Sequence, residues 1–194
     1  MSKDSAFWTG WPVYAVDAGG WLRGAERRPS PNCDARPAGT VVDLLVIHNI
    51  SLPPGEFGGH WIDDLFLARL DPDAHPYFRA VASAPVSAHL LIRRDGRAIQ
   101  YVPFGQRAWH AGVSCFAGRE RCNDFSIGIE LEGADDQPFE PSQYQALAEV
   151  TRALMTHYPG IRSDRIAGHS DIAPGRKTDP GPHFDWDRYR TLLG

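Results

Sequence analysis

The amino-acid sequence predicts a single α/β domain, in which a central mixed β-sheet is flanked by helices. The chain has 194 residues, of which 42% are hydrophobic and 23% charged, as is usual for one soluble globular domain. Short apolar or alternating runs, typical of strands, occur between stretches with helical periodicity. We see no repeat, low-complexity tract or linker, so residues 1–194 are interpreted as one domain.

The first part of the chain leads into a buried strand. Residues 1–40 are rich in Gly, Pro, Arg and Trp and show no sustained period, which predicts an irregular N-terminal segment. Residues 41–47 are β-branched and nearly all apolar, as expected for a strand covered on both faces. This strand is predicted to end at His48 and Asn49, where a loop begins. Apolar side chains over 61–70 have approximately helical spacing and predict a helix that stops at an Asp-Pro pair.

A β-hairpin is predicted next. Residues 87–92 and 98–102 form its strands, which an Asp-Gly turn joins. Three arginines cluster around this turn, and we interpret them as a solvated hairpin end: Arg93, Arg94 and Arg97.

The last elements are one alternating strand and two helices. Residues 125–132 place apolar side chains on one face and polar ones, including Glu130 and Glu132, on the other. An apolar stripe over 141–158 predicts a helix, with proline in its first turn and a Pro-Gly pair at its end. The tail from Phe184 predicts a short closing helix.

The composition excludes several classes of protein. With 20 basic against 24 acidic residues, an electrostatic nucleic-acid binder is not expected. No run approaches the roughly 20 apolar residues of a membrane helix, and no continuous apolar core of a secretory signal is visible. The three cysteines, Cys33, Cys115 and Cys122, are interpreted as reduced thiols. We therefore expect a cytoplasmic protein without nucleic-acid or membrane partners.

Three separated residues combine into a candidate metal site. His48 follows a buried strand, His169 lies in an Ala-Gly-His-Ser-Asp segment, and Asp179 comes ten residues later. Two neutral imidazoles and a carboxylate suit catalytic zinc, because they leave a fourth position for water. The chain has eight histidines, however, and imidazole serves many roles. From the residues alone, hydrogen-bonded structural histidines are the favoured alternative.

Five segments carry a resemblance to a known family. They are Val-Ile-His-Asn-Ile-Ser (46–51), Val-Ser-Ala-His (86–89), Arg-Ala-Trp-His-Ala-Gly (107–112), Asn-Asp-Phe-Ser-Ile-Gly-Ile-Glu (123–130), and Gly-His through Lys-Thr-Asp-Pro-Gly-Pro (168–182). With them the chain resembles the type 2 N-acetylmuramoyl-L-alanine amidases. The resemblance implies a mixed sheet flanked by helices, shared with peptidoglycan recognition proteins. It also implies hydrolysis of the amide bond between (1,6-anhydro-)N-acetylmuramic acid and L-alanine in muropeptides, for peptidoglycan recycling.

The same resemblance implies roles for particular residues. His48, His169 and Asp179 would bind zinc, and Glu130 and Lys177 would assist catalysis. Zinc and Glu130 would activate water for attack on the amide carbonyl, and Glu130 would protonate the leaving nitrogen. Zinc and Lys177 would stabilise the oxyanion. Without the resemblance, a solvated strand glutamate and an ordinary exposed lysine are the alternatives.

Substrate contacts are predicted for four more residues. The resemblance places Asn49 near the sugar, Trp109 along the groove wall, and the backbone of Ala111 beside the peptide. Arg121 is a candidate for a stem-peptide carboxylate, because guanidinium pairs with carboxylates in a bidentate manner. The alternative for Trp109 is a core aromatic residue.

The other histidines are not expected to bind metal. His89 and His110 are interpreted as structural or as lying behind the ligands. The other four are interpreted as non-ligands: His60, His75, His157 and His183.

Two competing functions remain in view. A module that binds peptidoglycan fragments without cutting them is opposed by the complete set of zinc and catalytic residues. An exported wall-lytic amidase is opposed by the absence of a visible signal peptide. We expect a monomer that acts on a small soluble muropeptide.

Overall fold

The computed structural model describes residues 13–194. In this part of the chain the strands are β1 (Ala15–Val16), β2 (Leu22–Arg23), β3 (Glu26–Arg27), β4 (Cys33–Ala35), β5 (Leu44–Ile50), β6 (Leu90–Ile92), β7 (Ala98–Gln100), β8 (Gln106–Ala108), β9 (Cys115–Phe116), β10 (Arg119–Glu120), β11 (Ser126–Glu132) and β12 (Ile166–Gly168). The α-helices are α1 (Trp61–Phe66), α2 (Phe78–Val81), α3 (Pro141–His157), α4 (His169–Ile172) and α5 (Trp186–Leu193). Two single turns of 3-10 helix lie at Cys122–Asp124 and Ser163–Arg165.

The main sheet has six strands in the order β12-β5-β11-β6-β7-β3. The four strands from β12 to β6 are parallel, β6 and β7 form the antiparallel hairpin, and β3 runs parallel to β7. The prediction of a mixed sheet flanked by helices is confirmed. Among the described residues, no helix combines the length and hydropathy needed to cross a bilayer.

The two central strands, β5 and β11, have different residues on their two faces. Leu45, Ile47 and Ile129 point into a core that α3 and α5 cover. Side chains alternate along a strand, so His48 lies on the opposite face. Glu130 is the register partner of His48 in the neighbouring parallel strand. Both polar side chains are therefore neighbours on the face that the long helix does not cover.

Strand β5 begins and ends later than predicted. It starts at Leu44 and continues through His48 and Asn49 to Ile50. The reason is its pairing with β11, which persists as far as Ile50 opposite Glu132. His48 is therefore held by strand pairing instead of lying at the start of a loop.

The predicted long helix is confirmed as α3. Its first residue is Pro141, and a capping box between Glu140 and Gln143 satisfies backbone N–H groups at its start. The first predicted helix is shorter than expected. The sequence predicts it over residues 61–70, whereas α1 ends at Phe66. The closing helix is present as α5, whose N-cap Asp185 accepts a bond from the Arg188 N–H.

The prediction of an irregular N-terminal segment needs correction for residues 13–40. This stretch contains β1 to β4, and β3 extends the main sheet beside β7. Strands of two or three residues are too short to show a period in the sequence. The first twelve residues of the predicted segment lie outside the described residues.

The interpretation of Arg93 as part of a solvated hairpin end is wrong, and Glu132 on the polar face of β11 is buried as well. Arg93 is 4% and Glu132 2% exposed. The Arg93 guanidinium donates to Glu132 Oε1 at 2.9 Å and to Asp63 Oδ2 at 2.7 Å. Strand β11 is covered on both faces, so the carboxylate of Glu132 is buried and is paired with a guanidinium. Arg97, by contrast, is exposed as predicted.

Candidate metal centre

The candidate site lies at the carboxyl ends of three adjacent parallel strands. His48 is near the end of β5, Glu130 near the end of β11, and His169 follows β12 as the first residue of α4. Parallel strands end at the same edge of a sheet, which is where α/β proteins bind ligands. Asp179 reaches this edge from the loop after α4.

Three donor atoms meet at this edge. His48 Nδ1 lies 3.0 Å from His169 Nδ1 and 2.9 Å from Asp179 Oδ2. His169 Nδ1 lies 3.0 Å from the same carboxylate oxygen. Zinc lies about 2.0–2.1 Å from such donors, so atoms that share one ion are roughly 3 Å apart. Among residues 13–194, this is the one such group of His, Cys, Asp or Glu.

The outer nitrogen of each histidine indicates where its proton lies. His169 Nε2 is 3.1 Å from the Ala111 carbonyl oxygen, which can only accept, so Nε2 carries the proton. His48 Nε2 is 2.9 Å from His110 Nδ1. When His48 donates there, both Nδ1 atoms present lone pairs. Two lone pairs and a carboxylate oxygen facing one another suit a cation between them, so the residues fit a metal.

Burial also favours the metal-binding form of His48. The side chain is 1% exposed, and burial lowers its pKa to about 4, although Asp179 partly opposes the shift. A neutral imidazole is the form that binds a metal.

Hydrogen bonds hold the Asp179 segment against the sheet. The Ser170 N–H donates to the Asp179 carbonyl oxygen at 2.9 Å. The Asn49 amide donates to the Pro180 carbonyl oxygen at 3.0 Å and to Asp135 Oδ1 at 2.6 Å. A Cβ on Gly168 would lie 2.8 Å from the Pro180 ring, so this close approach requires glycine.

Glu130 is a buried carboxyl group beside the three donor atoms. Its side chain is 9% exposed, and its buried Oε2 has no hydrogen-bond partner among the described residues. Burial, and next the negative charge of Asp179, raise its pKa well above the usual value, while Lys177 partly offsets this. A raised pKa makes a carboxylate a stronger base, which favours a role in proton transfer.

A cleft of about 350 Å³ joins most of the predicted site residues. Glu130, Lys177, His169 and Asp179 line it, as do Asn49 and Trp109. Its size is in the usual range for a small-molecule site. Trp109 is half-buried and donates from Nε1 to Asp34 at 3.2 Å, so one edge is fixed while the ring borders the cleft.

Two predicted substrate residues do not line this cleft. Arg121 borders a neighbouring cleft of about 490 Å³ and is 3.2 Å from Asp124. Ala111 is fully buried. Its N–H donates to Asn123 Oδ1, and its carbonyl oxygen accepts from His169 and Arg176. The peptide contact predicted for Ala111 stays a prediction.

Sequence reasoning missed three residues that support the centre. His110 Nε2 lies 3.2 Å from Ser126 Oγ, and Asn123 accepts two backbone bonds beside it. A Cβ on Gly128 would lie 2.5 Å from the His110 ring, so glycine makes room for that ring. The signal was present, because Asn123, Ser126 and Gly128 all belong to the segment 123–130 that carries the resemblance.

Sequence comparisons agree with this geometry. The sequence model of the N-acetylmuramoyl-L-alanine amidase family matches residues 38–182. The 1,6-anhydro-N-acetylmuramyl-L-alanine amidase AmpD of Citrobacter freundii is 63% identical over 174 residues, which cover 90% of this chain and 92% of the relative. The AmpD of Haemophilus influenzae is 56% identical over 170 residues, covering 88% and 92% of the two chains.

Solved structures show the same similarity. The crystal structure of a Se-Met AmpD derivative has a TM-score of 0.89 at 62% identity, covering 92% of this chain and 99% of that one. A complex of the Escherichia coli amidase AmiD with anhydro-N-acetylmuramic acid-L-Ala-D-γ-Glu-L-Lys has a TM-score of 0.59 at 31% identity, covering 93% and 65%.

Proposed function

Because this chain belongs to the N-acetylmuramoyl-L-alanine amidase family, we propose that it uses zinc to hydrolyse the amide bond between 1,6-anhydro-N-acetylmuramic acid and L-alanine. The observation that carries the proposal is the meeting of His48, His169 and Asp179 beside Glu130, whose buried Oε2 has no hydrogen-bond partner within residues 13–194. Relatives named for this activity match about nine-tenths of the chain.

His48, His169 and Asp179 would hold the zinc. When bound, zinc lowers the pKa of water and polarises a carbonyl group. Glu130 takes the proton of the attacking water on Oε2, which has no hydrogen-bond partner among the described residues. It then returns this proton to the L-alanine nitrogen, since an amide nitrogen leaves poorly until it is protonated.

Lys177 would act on the carbonyl oxygen. It is exposed and lines the same cleft as Glu130 and Asp179. An ammonium group cannot bind a metal, but it can stabilise the negative charge that develops on this oxygen.

The substrate would lie along the cleft. Asn49 and Trp109 border it and are proposed to contact the sugar and wall the groove. Arg121 in the neighbouring cleft is proposed to pair with a stem-peptide carboxylate. Ala111 is proposed to border the peptide, although hydrogen bonds inside the protein already engage its backbone groups.

We propose that the enzyme works in the cytoplasm as a monomer on soluble muropeptides. Its cysteines are unpaired in the described residues: Cys33 is half-buried, Cys115 exposed and Cys122 buried. Free thiols suit a reducing compartment. The complete catalytic set argues against a module that only binds peptidoglycan fragments, and the relatives named for anhydro substrates argue against a wall-lytic enzyme.

The zinc proposal is tested by metal analysis combined with turnover of an anhydromuropeptide. We expect about one zinc per chain, loss of activity with a chelator and recovery when zinc is restored. His48→Ala should lose metal and turnover, whereas the matched control His157→Ala, which changes a histidine at the end of α3, should keep both. Full activity in metal-free protein would refute the proposal.

A further inference from the structure

Asn123 makes two hydrogen bonds at the edge of the candidate metal centre. It lies in the 3-10 turn that precedes β11. Its Oδ1 accepts hydrogen bonds from the backbone N–H of His110 at 3.1 Å and from the backbone N–H of Ala111 at 2.8 Å. Because both partners are donors, the oxygen of the amide must face them. One side-chain atom thus holds two consecutive residues.

Those two residues contact the outer nitrogens of both histidine ligands. His110 Nδ1 lies 2.9 Å from His48 Nε2, and the Ala111 carbonyl oxygen lies 3.1 Å from His169 Nε2. The partner of the outer nitrogen decides which ring nitrogen is left to bind metal. The position of this short segment therefore affects both ligands at once.

We propose that Asn123 is a positioning residue: by holding the backbone of His110 and Ala111, it keeps the Nε2–H tautomer of both His48 and His169, so that both Nδ1 atoms point at the metal. This inference rests on the proposed zinc. His110 is supported in the same orientation by Ser126 Oγ at 3.2 Å.

The proposal predicts a specific loss of metal affinity. Outer partners of metal-binding histidines contribute about 10–100-fold to affinity. Asn123→Ala should therefore weaken zinc binding by about 10–100-fold, measured by competition with a chromogenic chelator. Asn123→Asp keeps an oxygen acceptor and should recover most of that loss.

Asp17 provides a matched control. Its Oδ1 also accepts two backbone N–H groups, from Gly19 and Trp21, both at 2.9 Å. It lies in the turn between β1 and β2, which form a two-stranded sheet separate from the main sheet that holds His48. Asp17→Ala removes the same kind of double acceptor and should leave zinc affinity unchanged.

A second readout follows the tautomers directly. In metal-free, ¹⁵N-labelled protein, long-range ¹H–¹⁵N correlation spectra should show Nε2–H for His48 and His169 in the wild type. In Asn123→Ala, at least one ring should shift towards the Nδ1–H form. A merely structural role of Asn123 would not change these spectra while the protein stays folded.

The outcomes separate this inference from the zinc proposal. If the wild type binds no zinc, the proposed function fails. If the wild type binds zinc and Asn123→Ala binds it within about twofold, with tautomers unchanged, the role of Asn123 is refuted. An Asn123→Ala protein that is unfolded without metal also overturns it. So does an Asp17→Ala protein whose zinc affinity falls as much as that of Asn123→Ala.

Discussion

At the scale of single residues, the proposed chemistry depends on two polar side chains, Glu130 and Lys177, that line one cleft. Glu130 is buried with one oxygen lacking a partner among the described residues, and Lys177 reaches the same cleft from an exposed loop. Neither residue is among the proposed zinc ligands His48, His169 and Asp179. The proposed metal ligands are therefore separate from the residues proposed for proton transfer and charge stabilisation, and substitutions can test each role on its own.

Lys177→Met should lower kcat by roughly 10²–10³-fold, the scale for loss of one oxyanion donor. The neutral carbonyl of the bound substrate needs little stabilisation, so KM should change far less. Zinc content should stay at the wild-type level, because an ammonium group is not a ligand. Steady-state kinetics with metal analysis check this prediction, and a near-normal kcat would make Lys177 a bystander.

Gly128→Ala should disturb the centre from behind. The added Cβ would lie 2.5 Å from the His110 ring, so the ring that supports His48 must move. We expect weaker zinc binding and a loss of about 1–3 kcal/mol in unfolding free energy from overpacking. Gly105→Ala is the control, because its Cβ would meet nothing within 4 Å. Equal effects of the two substitutions on zinc affinity would contradict this account.

At the scale of elements, the sequence predicted some features better than others. Periodicity was sufficient for α3 and for the alternation in β11, because both depend on local spacing. It could not show that β11 lies beside β5, which places Glu130 next to His48. It also could not show that Glu132 is buried, since its partner Arg93 comes from a distant hairpin. The set of site residues came from the resemblance, because Asp179 is 131 positions from His48.

Helices α3 and α5 are joined by a buried hydrogen bond that should be sensitive to pH. Thr151 Oγ1 and Tyr189 Oη are 2.7 Å apart, so Tyr189→Phe should cost about 1–3 kcal/mol by leaving the hydroxyl of Thr151 unpaired. Burial raises the pKa of Tyr189. The folded state thus favours the neutral phenol. The stabilising effect of Tyr189 is lost as the pH rises above about 10, the pKa of tyrosine in the unfolded chain.

Chemical denaturation at several pH values tests whether the stabilising effect of Tyr189 depends on pH. The difference in unfolding free energy between wild type and Tyr189→Phe should be constant below pH about 9 and should narrow above about 10. Tyr77→Phe, at a residue that is 43% exposed, should have little effect at any pH. A difference that widens at high pH would mean that the folded state does not favour the neutral phenol of Tyr189.

At the scale of the whole molecule, the fold should not depend on the metal. The hydrophobic core on the α3 side of the sheet contains none of the proposed zinc ligands, and a second core forms around α1. Removing zinc should therefore leave the far-ultraviolet circular dichroism unchanged. It should still lower Tm, because zinc at 1,000 times its Kd stabilises the folded state by about 4 kcal/mol. A metal-free chain without ordered secondary structure would contradict this account.

The position of the new oxygen atom tests the proposed reaction most directly. Anhydro-N-acetylmuramic acid carrying a peptide that begins with L-alanine is incubated with the zinc-loaded enzyme in H₂¹⁸O. The masses of the products are then measured by mass spectrometry. Attack of water on the lactyl carbonyl should put a single ¹⁸O into the carboxylate of the sugar product and none into the released peptide, whose first residue is L-alanine with a free amino group. An ¹⁸O label in the peptide, or a sugar that still carries L-alanine, would show that a different bond is cut and would contradict the account.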